Sequence, residues 1–241
     1  LPATVLGTGG TSLVCIVLLG GRSPKLFDCC GVGPDSLRFL VWRARAMLER
    51  IRKNLAAVPE QTSVSADLTP AAVLLPLLLK EDELHILFTK RTQTVRAHKG
   101  QISFPGGVRN PDDESLLTTA LREVQEEIGM RPEDVDILGS LDPITTVTTS
   151  FLVYTFVGLI PYPYPFQLNG LEVAEILIVP FHFLANDAHW SRRFYQAHNQ
   201  PFQAYFVTYA QYRIWGATAR ILKNFFERND IEMNIKAAME S

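Results

Sequence analysis

The stretch FPGGVRNPDDESLLTTALREVQEEIGM, residues 104–130, limits what this chain can be more than any other. Leu116, Leu117, Ala120, Leu121, Val124 and Ile128 recur at three- and four-residue intervals and make the buried stripe of an amphipathic helix. Asp112, Asp113 or Ser115 can cap its start, and Gly129 can take the left-handed conformation just past its end. Glu123 and Glu127 stack on one face of that helix, with Glu126 on its flank. Like charges one turn apart weaken a helix, and no lysine alternates with these glutamates as i,i+4 support would require. A solvated acidic face leaves that arrangement unexplained. A hard divalent cation explains it, because Mg²⁺ is commonly held by one or two carboxylates together with substrate phosphates. Directly upstream, Gly106 and Gly107 let the backbone approach a bulky anion with no Cβ in the way. The two features together describe a diphosphate site.

The rest of the chain supplies a frame for such a site. From Ser36, Leu37, Leu40, Val41, Ala44, Leu48, Ile51 and Leu55 form a second amphipathic pattern, with arginines and lysines on its other face. VPEQTSVSADLTP then reads as a linker. AAVLLPLLLKEDELHILFTKR predicts a hairpin turning at Lys80–Glu83, its first strand weakened by Pro76. VDILGSL, SFLVYTFVGLI, EVAEILIVPF and FQAYFVTYAQYRIWG read as strands, and ATARILKNFFERN as a closing amphipathic helix. The expected class is α/β (α+β): a mixed sheet sandwiched between helices, with an added N-terminal helix. The expected divisions are an N-terminal extension, poorly ordered, over residues 1–35; a helix and linker over 36–69; the main domain over 70–230; and a tail over 231–241.

Composition removes several classes. A net charge of −2 with 20% charged residues gives no basic surface for nucleic acid or anionic membrane. Cys15, Cys29 and Cys30 make no C-x-x-C pair, so neither a zinc site nor a disulfide framework is indicated. The chain opens on Leu1, which fits a fragment, a processed product or an unusual start. The apolar run from Leu13 to Leu19 is as long as a secretion-signal core but has no preceding Lys or Arg, so a loosely ordered extension is the favoured reading. The expected location is cytoplasmic.

The helix and its glycine-rich entrance resemble the Nudix hydrolase box, G-x5-E-x7-R-E-U-x-E-E-x-G-U with U aliphatic. Glu114, Arg122, Glu123, Val124, Glu126, Glu127, Gly129 and Met130 fall on it, with six residues rather than five between Gly107 and Glu114. LFTKRTQTVRAHKGQISFPGG is similar to the extra motif of the coenzyme A pyrophosphatase branch, L-L-T-x-R-(S/A)-x3-R-x3-G-x3-F-P-G-G. Leu87, Thr89, Arg91, Arg96, Gly100, Phe104, Pro105, Gly106 and Gly107 match, while Phe88 and Thr92 depart. The longer spacing before Glu114 is also similar to that branch. The resemblance covers residues 70–228.

The resemblance implies that Glu123 and Glu127 ligate Mg²⁺ or Mn²⁺, with Glu126 a further ligand or the base. Arg122 would orient the glutamates, pairing with Glu114 or with the cluster, and Glu114 is either a salt-bridge partner or an outer carboxylate. Glu172 is a candidate general base recruited from a later loop, set against plain exposure at a strand start. Arg91 and Arg96, with His98 and Lys99, make a positive group suited to the extra phosphate of coenzyme A. PYPYPF is either a gating loop or a stiff connector, and Trp215 and Gly216 are expected to pack a helix start. The implied activity is metal-dependent hydrolysis of the diphosphate of coenzyme A or acyl-CoA, giving 3′,5′-ADP and (acyl-)4′-phosphopantetheine. The alternatives are another nucleoside diphosphate derivative such as NADH or ADP-ribose, or a non-catalytic CoA-binding domain. The expected partner is a small CoA-type nucleotide, with no nucleic acid and no membrane; a homodimer is allowed.

Overall fold

The computed structural model describes residues 14–17, 25–28, 34–57, 68–94, 99–146, 150–197, 200–231, 233 and 235. Its first strands, β1 (Val14–Val17) and β2 (Lys25–Asp28), pair antiparallel as a separate two-stranded sheet. The predicted N-terminal helix is α1 (Pro34–Asn54). Its end is fixed by charge as well as by apolar contact: Ile51 and Leu55 are buried, and Arg52 reaches Asp136 at 2.7 Å.

The main sheet begins with the expected hairpin. β3 (Thr69–Lys80) and β4 (Glu83–Arg91) are joined by Glu81 and Asp82, both at positive φ, the twist a two-residue hairpin favours. Next come β5 (Ile102–Ser103) and β6 (Gly106–Val108), then α2 (Leu116–Ile128). β7 (Asp136–Thr145), β8 (Phe151–Leu159) and β9 (Val173–Pro180) complete the sheet. The order is β5-β4-β3-β8-β7, with β6 also on β3 and β9 also on β4; β3 and β8 are parallel. Pro76 lies inside a central strand, where it would cost a ladder bond. β3 escapes that cost because residues 71–73 pair with β6 and residues 77–80 with β4, so Pro76 falls where the neighbour changes.

Alternation along the strands feeds two cores. Ala72, Leu74, Leu78 and Leu87 face Leu116, Ala120, Val124 and Ile128 of α2. Leu75, Leu77, Ile86 and Phe88 face the other way, toward Ile51 of α1 and Phe225 and Phe226 of α4 (Gly216–Arg228). Each of these side chains larger than alanine contributes about 1.5–3 kcal/mol of burial, so the helices are held on both faces. The sandwich expected from the sequence is what forms.

After the short α3 (Phe181–Leu184), a second antiparallel sheet consists of β10 (Trp190–Ala197), β11 (Gln200–Tyr209) and β12 (Tyr212–Trp215). β10 was not anticipated. Its residues WSRRFYQA do not alternate cleanly: Trp190 is buried and donates to the Leu184 carbonyl, yet Phe194, on the same face, is exposed. Among the described residues no helix is long and apolar enough to cross a membrane.

Candidate active site

Of the three residues proposed as the cap of α2, Ser115 takes the role: its Oγ accepts from the Thr118 N–H at 3.0 Å. At the other end Gly129 turns left-handed, φ 69°, as expected, and its N–H donates to the Gln125 carbonyl. These caps fix the ends of α2, and its buried stripe Leu116, Ala120, Val124 and Ile128 sets its rotation, so that Glu123 and Glu127 face the glycine-rich strand β6. A Cβ on Gly107 would sit 2.5 Å from the Glu123 Cδ and 2.7 Å from Oε2. Only glycine lets the strand lie so close to that carboxylate. Gly106 packs equally tightly, a Cβ there meeting the Val73 Cα at 2.6 Å.

Asp113, read from the sequence only as a candidate cap, anchors the site. It is buried and accepts from the Asn110 N–H (2.9 Å), the Thr119 hydroxyl (2.8 Å), and Nε and Nη2 of Arg122 (3.0 and 3.1 Å). The remaining nitrogen of Arg122, Nη1, donates to Glu123 Oε1 at 2.8 Å and to Glu126 Oε2 at 3.0 Å. A guanidinium fork pinned on one side thus holds two glutamates on the other. Hydrogen bonding by Arg122 keeps the Asp113 carboxyl at about 2, and Asp113 in turn raises Arg122. Glu114 is exposed and, among the described residues, makes no ion pair with Arg122. A signal for Asp113 was present: five residues separate it from Gly107, the spacing at which the box has its first acidic residue.

Burial raises the Glu123 carboxyl, with Arg122 opposing and Glu126 and Glu172 adding to the rise. Glu127 is more extreme. It is 2% exposed, and burial pushes its carboxyl up to about 8; Arg91 opposes, the charges of Glu123 and Glu172 add, and the Gly106 N–H lowers it. The Arg91 Nη1 stands 3.9 Å from Glu127 Oε1. Glu127 Oε2 and Arg91 Nε are both buried without a hydrogen-bond partner. Buried polar atoms are rarely left so, which marks this as a place where a ligand completes the bonding.

Glu172 lies in the turn just before β9 and is half-buried, near enough to Glu123 and Glu127 for its charge to act on both. The segment before it is tied to the end of α2: the Gln167 N–H donates to the Ile128 carbonyl and the Asn169 N–H to the Glu127 carbonyl, both at 2.9 Å. Tyr164, within PYPYPF, donates to Asp134 at 2.8 Å. These bonds give the segment the character of a connector. Arg96 and His98 lie outside the described residues, and Lys99 is exposed. Trp215 precedes α4 and stacks on Phe206, rings 8° apart.

The donors at this site are oxygens, with an unpartnered Glu127 Oε2 among them, and they fit a hard divalent cation. Among the described residues no three Asp, Glu, His or Cys side chains close on one point. Glu123, Glu126 and Glu127 could therefore hold an ion only with further oxygens from substrate and water, the usual habit of Mg²⁺.

The chain matches the NUDIX domain over residues 68–198. It is 37% identical over 171 residues to "Uncharacterized Nudix hydrolase NudL" of Photorhabdus laumondii, covering 71% of this chain and 90% of that one. The protein of the same name from Cronobacter sakazakii is 35% identical over 165 residues, 68% of this chain and 85% of the relative. A MutT/nudix family protein from Enterococcus faecalis aligns over 83% of this chain and 71% of its own, at 14% identity and a TM-score of 0.47. The chain belongs to the Nudix hydrolase family. It is a Nudix pyrophosphatase, hydrolysing the diphosphate bond of a nucleoside diphosphate derivative.

Proposed function

We propose that the substrate is coenzyme A or an acyl-CoA. One observation carries this: Arg91, an arginine of the branch-specific motif, points at Glu127 within the carboxylate site. The motif residues Thr89, Gly100, Phe104, Pro105, Gly106 and Gly107 accompany it. Arg91 and Arg96 bind phosphates of the substrate, while the Gly106–Gly107 backbone lies along the diphosphate. Glu123, Glu127 and Glu126 hold Mg²⁺ or Mn²⁺. When bound, such a cation lowers the pKa of water and offsets negative charge on the phosphoryl oxygens.

The protein's own groups do the rest. Arg122, fixed by Asp113, keeps Glu123 and Glu126 from swinging apart under their mutual repulsion. Glu172 takes the proton from the attacking water, with Glu126 as the other candidate base. A water O–P bond forms, the bridging P–O bond breaks, and each half keeps one phosphate of the diphosphate: 3′,5′-ADP, which also retains its 3′-phosphate, and (acyl-)4′-phosphopantetheine. Residues 70–230 form the catalytic unit, 36–69 add a helix and linker, and the location is cytoplasmic.

Incubating the full chain and Glu127→Gln with coenzyme A and Mg²⁺, and separating products by chromatography, tests this. Metal-dependent 3′,5′-ADP from the unaltered chain and almost none from the variant is expected. Turnover of NADH or ADP-ribose without coenzyme A cleavage would sink the coenzyme A assignment. Tight binding with no turnover of any of them would point to a CoA-binding domain.

A further inference from the structure

We infer that Thr92, assisted by Thr94, is a positioning residue that fixes Glu172 in the active site; this rests on Glu172 serving as the base. Thr92 follows β4 directly after Arg91 and meets the turn before β9. Its N–H donates to the Glu172 carbonyl at 2.8 Å, and its hydroxyl donates to the Leu171 carbonyl, also at 2.8 Å. The Thr94 hydroxyl lies 2.8 Å from Thr92 Oγ1 and 3.3 Å from the same Leu171 carbonyl. Two hydroxyls have two protons for these three contacts. The two shorter contacts are satisfied together when Thr94 donates to Thr92 and Thr92 donates to Leu171.

Inside the turn, the Asn169 carbonyl accepts from the N–H groups of Glu172 (2.9 Å) and Val173 (2.8 Å) and its Oδ1 from that of Leu171 (3.2 Å), while apolar contact adds little. Leu171 exposes 78% of its surface, and a Cβ on Gly170 would meet nothing within 4 Å. Apolar anchoring begins only at Val173, which is 2% exposed. The Asn169 bonds shape the turn from within, and the Thr92 bonds to the Leu171 and Glu172 carbonyls tie it to the end of β4, which sets where residues 171 and 172 lie against the site. Because Arg91 is the adjacent residue, one short segment places both the arginine facing Glu127 and the glutamate opposite it.

The test compares Thr92→Val, Thr92→Ser and Thr94→Val in the full chain with coenzyme A and Mg²⁺, each also combined with Glu172→Gln. Misplacement of a reacting group lowers turnover steeply, so Thr92→Val is expected to reduce kcat about tenfold with KM within about twofold. Thr92→Ser should restore kcat, and Thr94→Val should change it less than about twofold, since Thr92 keeps its own donation. In the Glu172→Gln background, Thr92→Val should have no further effect. Amide exchange of a peptide covering 169–173 should quicken in Thr92→Val, a readout independent of turnover. If Glu172→Gln is impaired but Thr92→Val matches the unaltered chain, the positioning role is overturned and the base assignment stands. An equal loss from Thr92→Val with and without Glu172→Gln overturns it too. If Glu172→Gln turns over normally, the base assignment falls and the inference falls with it.

Discussion

Replacing Asp113 by Asn removes one charge from the middle of the carboxylate array while keeping its shape. Arg122 holds that carboxyl down from 3.8 to about 2. At 1.36 kcal/mol per unit, the lowering corresponds to about 2.4 kcal/mol. Arg122 exposes 22% of its side chain, so solvent screens the pair, and a net loss of about 1.5 kcal/mol is the better figure. All four neighbours of the carboxylate are donors, so an asparagine NH₂ must also face one of them. The folded pKa lies below the unfolded one. The stabilisation is therefore complete above the unfolded value and is lost as pH falls toward 2, with about half remaining at pH 3. Urea unfolding of both proteins should give a gap of about 1.5 kcal/mol at pH 7 and roughly half that at pH 3. In heating experiments at neutral pH the gap is about 3–6 °C for a chain of this size. Turnover should drop about tenfold, as is usual when the partner of a ligand-orienting group is lost. A gap of equal size at both pH values would refute the charge argument, and no gap at all would refute the placement of Asp113 against Arg122.

Glu127 gives the opposite pH slope in metal-free protein. Its folded pKa of about 8 lies above the ordinary 4.5, so the unfolded chain releases its proton first, and stability falls as pH rises between those values and levels off above. With a chelator present, Glu127→Gln should melt higher than the unaltered chain at pH 8.5 and level with it near pH 4.5; parallel curves would refute the buried placement of this carboxyl. Gly107→Ala puts a methyl 2.5 Å from the Glu123 Cδ, and Glu123 cannot retreat because Arg122 holds it. Overpacking of this kind costs about 1–3 kcal/mol, and turnover should be largely lost; a normal melting temperature with full activity would show that β6 does not press on α2.

Much of this was legible in the sequence because it rests on local rules. The apolar stripe of α2, its cap at Ser115 and its left-handed end at Gly129 are all set within one helix. The hairpin at Glu81–Asp82 follows from two apolar runs and a polar turn. What was hidden depends on chain segments meeting. Asp113 looked like a cap because capping is what an aspartate before a helix usually does; its use as the anchor of Arg122 requires the loop from Val108 to fold back under the helix. Pro76 looked damaging because one strand alone cannot reveal that its neighbour changes from β6 to β4 there. β10 was missed because exposed Phe194 and the paired arginines break the alternation that marks a strand.

The crowding of glutamates on α2 has an energetic logic once the partners are counted. Arg122 is fully engaged by Asp113, Glu123 and Glu126, so it answers repulsion only on its own side of the helix. Arg91 stops at 3.9 Å from Glu127, too far for a hydrogen bond, and leaves its own Nε unpartnered. Burial above all makes a charge on Glu127 costly, Glu123 and Glu172 add to that cost, and in the free protein a proton on Glu127 relieves it. Under the proposed reading a cation must displace that proton. Cation affinity should then rise with pH up to about 8 and flatten above it, each ion bound below that point releasing a proton to solution. The buried charge that costs the free protein stability is the same charge that draws the cation in. Neutralising Glu127 should accordingly improve the fold and weaken the binding together, so a variant that lost stability while keeping affinity would break the link.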